Sequence, residues 1–459
     1  MDFLTSIKEA TNYFSKITKP IRIISHLDAD GLSSASIMVK TLKRLDKIFI
    51  LSIVKQISPQ LLEELKRESY ETYLFLDTGS GNLNEINNAL KDRTVFILDH
   101  HQPQDVKTNF FHINPLLFNL DGAKEISGAG VTYLFSKELD ERNKDLAHLA
   151  ILGAIGDTQE GKGFIGLNKE ILQDAVSSNK VEIKLGLRMF GSQTRPLYKV
   201  LEYSTDPYIP GITGNEQSAI EFLNEVGIDP NRKLIHLSET ELKNLVAAII
   251  IKRMGSEEEP EDVLGNIYLL KDEKEESPTK DLKEFSTLLN SCGRLNKPSL
   301  GIGACLNDEK SKKEAISLLM DYKKEIINSL NWFYKNKNSP SIIETPKLVI
   351  INAEHNIRDT IIGTVTSMIS KSNLYKPGTI LISLAHTLDA DTKISIRISG
   401  YKIPKDVNLK EILGKITEKL GYTTGGHTFA AGSVIPQEKE REFIKIALEN
   451  QTETYINTN

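Results

Sequence analysis

Ile21-Arg22-Ile23-Ile24-Ser25-His26-Leu27-Asp28-Ala29-Asp30-Gly31 begins in isoleucines and ends in acids. Its first five residues read as a β-strand, because β-branched side chains dominate them. His26, Asp28 and Asp30 then alternate on one side of a chain leaving that strand. Gly31 permits a tight turn, and the amphipathic run 33–45 reads as a helix. The same order returns downstream. Residues 48–54, 72–76 and 94–98 are strand candidates, and 59–67 is a helical segment between them. Strand, helix, strand in repetition predicts a parallel sheet covered by helices. Asp77 follows one of these strands and Asp99-His100-His101 another. Ligand sites in open α/β sheets form beyond the carboxyl ends of the strands, so these acids can converge.

The chain has 459 residues, 39% hydrophobic and 26% charged. That is ordinary globular usage and excludes wholesale disorder, collagen or a coiled-coil rod. At roughly 100–200 residues per domain, two to four domains are expected. The two cysteines, Cys292 and Cys305, exclude a disulfide scaffold and fit a reducing compartment, so a cytoplasmic location is expected. The longest obvious apolar run, 245–251, has seven residues, far short of the roughly 18–20 of a membrane span. Met1-Asp2-Phe3 opens without a basic region leading into an apolar stretch, so no signal peptide is expected. A net charge of −5 leaves no global positive field. Any nucleic-acid contact must follow a local basic path.

Three segments are expected: 1–188, 189–340 and 341–450. The middle one opens with turn formers at 191–214, followed by helical patterns at 216–226 and 239–254. The acidic residues 256–281 read as a solvated loop or partner surface. Residues 311–335 read as a long amphipathic helix able to bridge two lobes. The last segment returns to alternation, with strands expected at 347–352, 379–385 and 393–399 and helices at 357–370 and 409–420. A glycine-rich turn, Gly425-Gly426-His427, follows, and the last ten residues are expected to fray.

Asp77 stands in Leu76-Asp77-Thr78-Gly79-Ser80-Gly81, and Asp157 ends the apolar run 146–156. A lone aspartate at such a place is ordinarily a cap or a solvated turn. Several carboxylates packed together without a cation repel one another. Mixed with imidazoles, they suit a pair of divalent metals. Such ions, roughly 3.5–4 Å apart, activate a water and stabilise a leaving phosphoryl oxygen, with one carboxylate bridging them. Mixed His and Asp ligation favours manganese over an all-oxygen magnesium site.

In order, His26-Leu27-Asp28-Ala29-Asp30-Gly31, Asp77-Thr78-Gly79, Asp99-His100-His101 and Gly153-Ala154-Ile155-Gly156-Asp157 resemble the four motifs of the DHH phosphoesterase superfamily. The resemblance implies metal ligation by Asp28, Asp30, Asp77, His100 and Asp157, with Asp77 as the bridge. It extends to His26, a position often occupied by Asp in bacterial RecJ nucleases. It also implies that Asp99, His100 and His101 act in or support catalysis, with Asp99 orienting an imidazole and His101 meeting the substrate phosphate. Two Mn2+ ions are the implied cofactors, with Mg2+ as the alternative.

Gly425-Gly426-His427 is similar to the glycine-glycine-histidine motif of the DHH-associated C-terminal domain. Its glycines let backbone approach a phosphate, and His427 can donate to it. Arg397, in Ser395-Ile396-Arg397, could bind that phosphate bidentately or form a surface ion pair. Residues 190–196, 205–211 and 291–298 resemble segments of archaeal RecJ-like proteins. There Arg195 and Arg294 could line a nucleic-acid path and Tyr198, Tyr203 or Tyr208 stack bases, unless they are core. His148 reads as a core histidine, Cys292 and Cys305 as small buried residues, and Trp332 as packing.

The fold implied is α/β, with a parallel-sheet DHH lobe, a smaller α/β DHH-associated C-terminal lobe facing it across a cleft, and a mostly helical insert between. The activity implied is exonucleolytic digestion of single-stranded DNA, or RNA, in DNA repair or replication. Single-stranded nucleic acid is the implied partner. Two alternatives stay open. One is a replisome-associated scaffold binding GINS-type proteins, like a eukaryotic relative that has lost catalysis. The other is a phosphodiesterase of short oligonucleotides or cyclic dinucleotides.

Overall fold

The structure, a computed structural model, describes residues 2–204, 207–255, 257, 259–372, 374–400 and 407–454. They form two compact units, Met1–Leu319 and Met320–Asn459. The sequence suggested boundaries near 188 and 340. The boundary between the two compact units falls inside the long helix Glu309–Asn336, the segment read as a bridge.

The first unit is built on five parallel strands: β1 (Ile21–His26), β2 (Phe49–Val54), β3 (Thr72–Leu76), β4 (Thr94–Leu98) and β5 (Phe111–Ile113). Their order is β2-β1-β3-β4-β5. β3 is buried at every position, as a strand covered on both faces must be. On one face Ile24, Phe75 and Ile97 meet Leu62 and Leu65 from helix Pro59–Arg67 and Ile86 from helix Leu83–Ala89. On the other, Phe96 meets Phe14 and Phe135 edge-on, at centroid distances of 5.1 and 6.2 Å. The first helix of that pair starts where expected. Ser58 accepts the Leu61 N–H at 3.2 Å, and Pro59 fits the first turn. From β1 the chain passes to β2 on one side and then to β3 on the other. The β1–β3 seam is therefore the topological switch point.

Part of the acidic segment 256–281 is not a solvated loop. Leu264–Leu270 forms β7, antiparallel to β6 (Val181–Leu187), and buries Tyr268, Leu269 and Leu270. The surrounding charge hid this short apolar run. Ser256 and Glu258 lie outside the described residues. Helices Leu197–Glu202, Glu216–Val226 and Glu239–Arg253 share a core of Leu201, Leu223 and Leu245. A capping box between Ser238 and Glu241 starts the last of these.

Asp281 is also buried. It caps helix Leu282–Arg294 by accepting the Lys283 N–H at 2.7 Å. Burial, and then the charge of Glu284, push its carboxyl from 3.8 up to about 7. Ser192 donates to it at 3.5 Å, and Lys283 faces Glu160 at 3.4 Å. The native state thus holds a proton that the unfolded chain has released, so stability falls as pH rises through that window. At about 1.4 kcal/mol per pH unit, the full difference is on the order of 4 kcal/mol. Asp281→Asn keeps a capping acceptor and removes the charge. Its advantage over wild type should be absent near pH ~4, grow to pH ~7 and then level off. Urea unfolding of both proteins across that range checks this, and a constant difference would refute it.

Among the described residues, the second unit carries six strands: β8 (Ile342–Glu344), β9 (Leu348–Asn352), β10 (Ile380–His386), β11 (Asp391–Ile398), β12 (Thr424–His427) and β13 (Ala430–Pro436). Their order is β12-β13-β11-β10-β9-β8, and only β9 and β10 run parallel. Ile350, Ile382, Ile396, Leu413 and Phe443 form the core. Gly425-Gly426-His427 is a strand rather than a turn, with Gly425 opposite Gly432 and Gly426 opposite Ala431. Gly426 has φ 113°, and a Cβ there would lie 2.4 Å from the Ala430 carbonyl. Glycine is poor in strands, which concealed this one. Among the described residues, no helix is long and apolar enough to cross a membrane.

Candidate metal centre

Each acid-bearing strand end fixes its side chain differently. Asp28 caps helix Ala29–Arg44, its Oδ1 accepting the Gly31 N–H at 3.0 Å. Its Oδ2 lies 2.8 Å from His26 Nδ1, without hydrogen-bond geometry. Asp77 leaves β3 at φ 54°, and its N–H is held by the Leu98 carbonyl at 2.9 Å. Asp30 sits at the start of helix Gly128–Leu139, accepting the N–H groups of Gly128 and Ala129 at 2.7 and 2.9 Å. A helix N-terminus favours that negative charge. Burial, then the charges of Asp77 and Asp157, still push the Asp30 carboxyl well above its ordinary value.

His100 Nδ1 lies 2.6 Å from the Gly122 carbonyl, which can only accept, so Nδ1 carries the proton. Gln159 donates to the same carbonyl at 3.0 Å and accepts from Asn168 at 2.7 Å. This leaves Nε2 of His100 at 3.2 Å from Asp157, 3.4 Å from Asp77 and 3.6 Å from Asp30. Asp157 caps the end of helix Ala147–Gly156. Among the described residues, three trios bring ligand atoms within 4.8 Å of one another: His26-Asp28-Asp77, Asp30-His100-Asp157 and Asp77-His100-His101. The first two together contain every residue expected to ligate metal.

A metal fits the unsatisfied atoms. His26 Nδ1, both Asp77 carboxylate oxygens and His100 Nε2 are buried and make no hydrogen bond. Each such atom is costly in a folded protein. A pair of divalent cations with mixed oxygen and nitrogen ligands would satisfy all four. The carboxylates also need small neighbours. A Cβ on Gly128 would lie 2.5 Å from Asp77 Oδ1, and one on Gly153 2.2 Å from Asp30 Oδ1.

Asp99 belongs to none of these trios. Fully buried, it accepts the N–H of Ser80 at 2.9 Å, the N–H of His100 at 2.8 Å and Nδ1 of His101 at 2.7 Å. Its geometry is that of an organiser. Burial works against charge on His101, but the Asp99 carboxylate outweighs it and leaves the His101 pKa raised. Asn114 donates to Ser80 Oγ and to the His101 carbonyl, both at 2.8 Å. Ser80 Oγ also meets His112 Nε2 at 2.8 Å. Sequence reasoning missed Gly122, Gly128, Ser80, His112, Asn114 and Gln159. Only the polar His112 and Asn114, alternating around Ile113, gave a usable signal.

The second unit holds the residues expected to bind phosphate. Arg397 donates through Nε to Ser367 at 2.7 Å and through Nη1 to the Ile396 carbonyl at 2.7 Å. β13 lies between its strand and Gly425-Gly426. The His427 side chain lies outside the described residues. Arg195 is sandwiched between Phe190 and Tyr203, at 4.7 and 5.2 Å from their ring centroids, and burial lowers its pKa. Lys199 lies over Tyr198 at 5.3 Å. Thr205 and Asp206 lie outside the described residues. His148 meets the Asp145 carbonyl at 2.9 Å, and burial lowers it to about 4. Cys292 and Cys305 are free and buried.

The sequence matches the DHH family, N-terminal domain, over residues 20–154, the DHH-CID domain over 189–265 and the DHHA1 domain over 346–453. The uncharacterized protein MJ0831 of Methanocaldococcus jannaschii is 33% identical over 434 residues, covering 93% of this chain and 91% of that protein. The chain belongs to the DHH family. This DHH protein is RecJ-like: the single-stranded-DNA-specific exonuclease RecJ of Thermus thermophilus is 27% identical over 200 residues, covering 40% of this chain and 29% of RecJ. The fold of RecJ in complex with Mn2+ matches with a TM-score of 0.59 at 17% identity, over 98% of this chain and 55% of that one. The DHH protein thus spans about half the RecJ chain. CDC45 of Entamoeba histolytica shares the fold end to end, with a TM-score of 0.66 at 12% identity over 98% of this chain and 99% of that one. Family membership and the clustered acids and histidines support a metal-binding phosphoesterase.

Proposed function

We propose that this DHH protein is a metal-dependent phosphodiesterase that digests single-stranded DNA from one end. The observation that carries the reading is the set of four orphaned buried atoms on His26, Asp77 and His100. We assign His26, Asp28 and Asp77 to one ion and Asp30, His100 and Asp157 to a second, with Asp77 shared. Manganese is the first expectation and magnesium the alternative. Two divalent ions bound there supply water activation and charge stabilisation for phosphoryl transfer.

The chain's own residues then orient and bind. The Gly122 carbonyl fixes the ring of His100, and the first turn of helix Gly128–Leu139 holds Asp30. Asp99 fixes the ring of His101, which is assigned to a phosphate oxygen of the substrate. Arg397, Gly425, Gly426 and His427 are assigned to substrate phosphate on the second unit. Single-stranded DNA as substrate rests on the likeness to RecJ. A cytoplasmic role in DNA repair or replication belongs to the same proposal.

A second reading has one observation behind it, the end-to-end fold match with CDC45. It would make the chain a replisome-associated protein binding GINS-type partners. The complete ligand set argues against a purely structural role.

The test is a single-stranded DNA oligonucleotide labelled at the 5′ end in one reaction and at the 3′ end in another, digested with manganese, with an RNA counterpart. Wild type should release mononucleotide from one DNA end at once, while Asp77→Asn releases none. If neither DNA nor RNA is cut by manganese-loaded protein, the nuclease reading fails. Co-sedimentation with GINS-type proteins then tests the second reading.

A further inference from the structure

We propose that helix Leu282–Arg294 is a positioning element of the metal centre, acting through Asn290 and Gly293 on the backbone that carries Asp28. The proposal rests on the reading that His26, Asp28 and Asp77 hold a divalent ion. None of the family matches covers this helix, since they end at 265 and resume at 346.

The helix packs against helices Ala29–Arg44 and Ala147–Gly156 through a buried face that includes Phe285, Leu288, Leu289 and Cys292. Asn290 and Gly293 are three residues apart and so lie on one face. That face meets the peptides on both sides of Asp28. Asn290 Oδ1 accepts the Ala29 N–H at 3.1 Å, one of the first N–H groups of a helix that have no partner within it. A Cβ on Gly293 would lie 1.7 Å from the Leu27 carbonyl oxygen and 2.8 Å from its carbon. No side chain can occupy that space, so the Gly293 backbone acts as a wall against Leu27.

Asp28 is therefore set from three directions. Its own Oδ1 is tied to Gly31, the following N–H is held by Asn290 and the preceding carbonyl is braced by Gly293. The only oxygen left for an ion is Oδ2, beside His26. Ligand distances must hold within about 0.2 Å for a metal site to work. Loss of an outer partner therefore reaches the ion through Asp28.

The test is calorimetric titration of the full metal-free chain with Mn2+, with thermal unfolding measured alongside. Wild type should bind two ions. Asn290→Ala should weaken one of them by about 10–100-fold and leave the other unchanged. Asn290→Asp, which keeps the acceptor and adds a charge that itself favours a cation, should bind that ion well above the Asn290→Ala level. Leu288→Ala serves as the packing control, since it removes a buried side chain of the same helix and leaves the Asn290 acceptor and Gly293 in place, so it should shift affinity far less than Asn290→Ala. Gly293→Ala should weaken the same ion as Asn290→Ala, and the Asn290 pair carries the test should this variant fail to fold. If Asn290→Ala binds both ions as wild type does, or Leu288→Ala shifts affinity equally, the positioning role is overturned alone. If wild type binds no manganese, the metal reading falls and the inference falls with it.

Discussion

Asp77→Asn is expected to lose manganese-dependent hydrolysis together with the thermal stabilisation that manganese gives the wild type, while the metal-free protein becomes no less stable. The three parts have one cause. Asp77 is 2% exposed and its two oxygens have no hydrogen-bond donor. It faces His100 at 3.4 Å and His26 at 3.7 Å, clusters with Asp28, and its charge acts on Asp30. Without a cation, that carboxylate costs folding energy. Asparagine removes the charge and tolerates the positive φ. With a cation, the same carboxylate is the one group common to the first trio and to His100, so no neighbour replaces it. Loss of an outer partner costs about 10–100-fold, and loss of the shared ligand should exceed that. At a manganese concentration 100-fold above its Kd, one ion stabilises the wild type by about 2.7 kcal/mol. Melting curves with and without manganese, beside the hydrolysis assay, read all three effects. A full manganese shift in Asp77→Asn would remove Asp77 from the ligand set.

Legibility in the sequence followed physical range. β3 and β4 were readable to the residue, because a strand buried on both faces must be apolar throughout. Their acids were readable as a set because ligand residues in this topology gather at strand ends. What stayed hidden was held by contacts without a local pattern. Asn290 meets Ala29 across 261 positions of chain, and nothing near Asn290 signals an acceptor for a helix start. Gly128 matters because Asp77 lies beside it, and sequence alone places no residue there. β12 was missed because its glycines speak against a strand, and β7 because acids surround it. Arg397 reads in sequence as a strand residue that binds phosphate bidentately or forms a surface ion pair. In the fold its Nε and Nη1 are engaged by Ser367 and Ile396.

Asp99→Ala is the counterpart to Asp77→Asn, and the two should separate a ligand from an organiser. Both aspartates follow β-strands of one sheet and both are buried. Asp77 lacks donors, whereas Asp99 is surrounded by them: the N–H groups of Ser80, His100 and His101, and His101 Nδ1. Removing the carboxylate leaves buried donors without an acceptor and His101 without its anionic partner. Breaking a buried charged network from one side costs about 3–5 kcal/mol, and each stranded donor costs about 1–3 kcal/mol on its own. Metal-free Asp99→Ala should therefore unfold at a clearly lower urea concentration than wild type, where metal-free Asp77→Asn does not. The loss extends to activity, because the ring of His101 loses its fixed orientation and the backbone that carries His100 loses its anchor. Asp99→Asn should fall between. One amide oxygen still accepts, but its NH2 group faces a donor. Unfolding in chelator resolves the order. If Asp99→Ala unfolds with the wild-type midpoint yet is inactive, Asp99 acts on the substrate chemistry rather than on the scaffold.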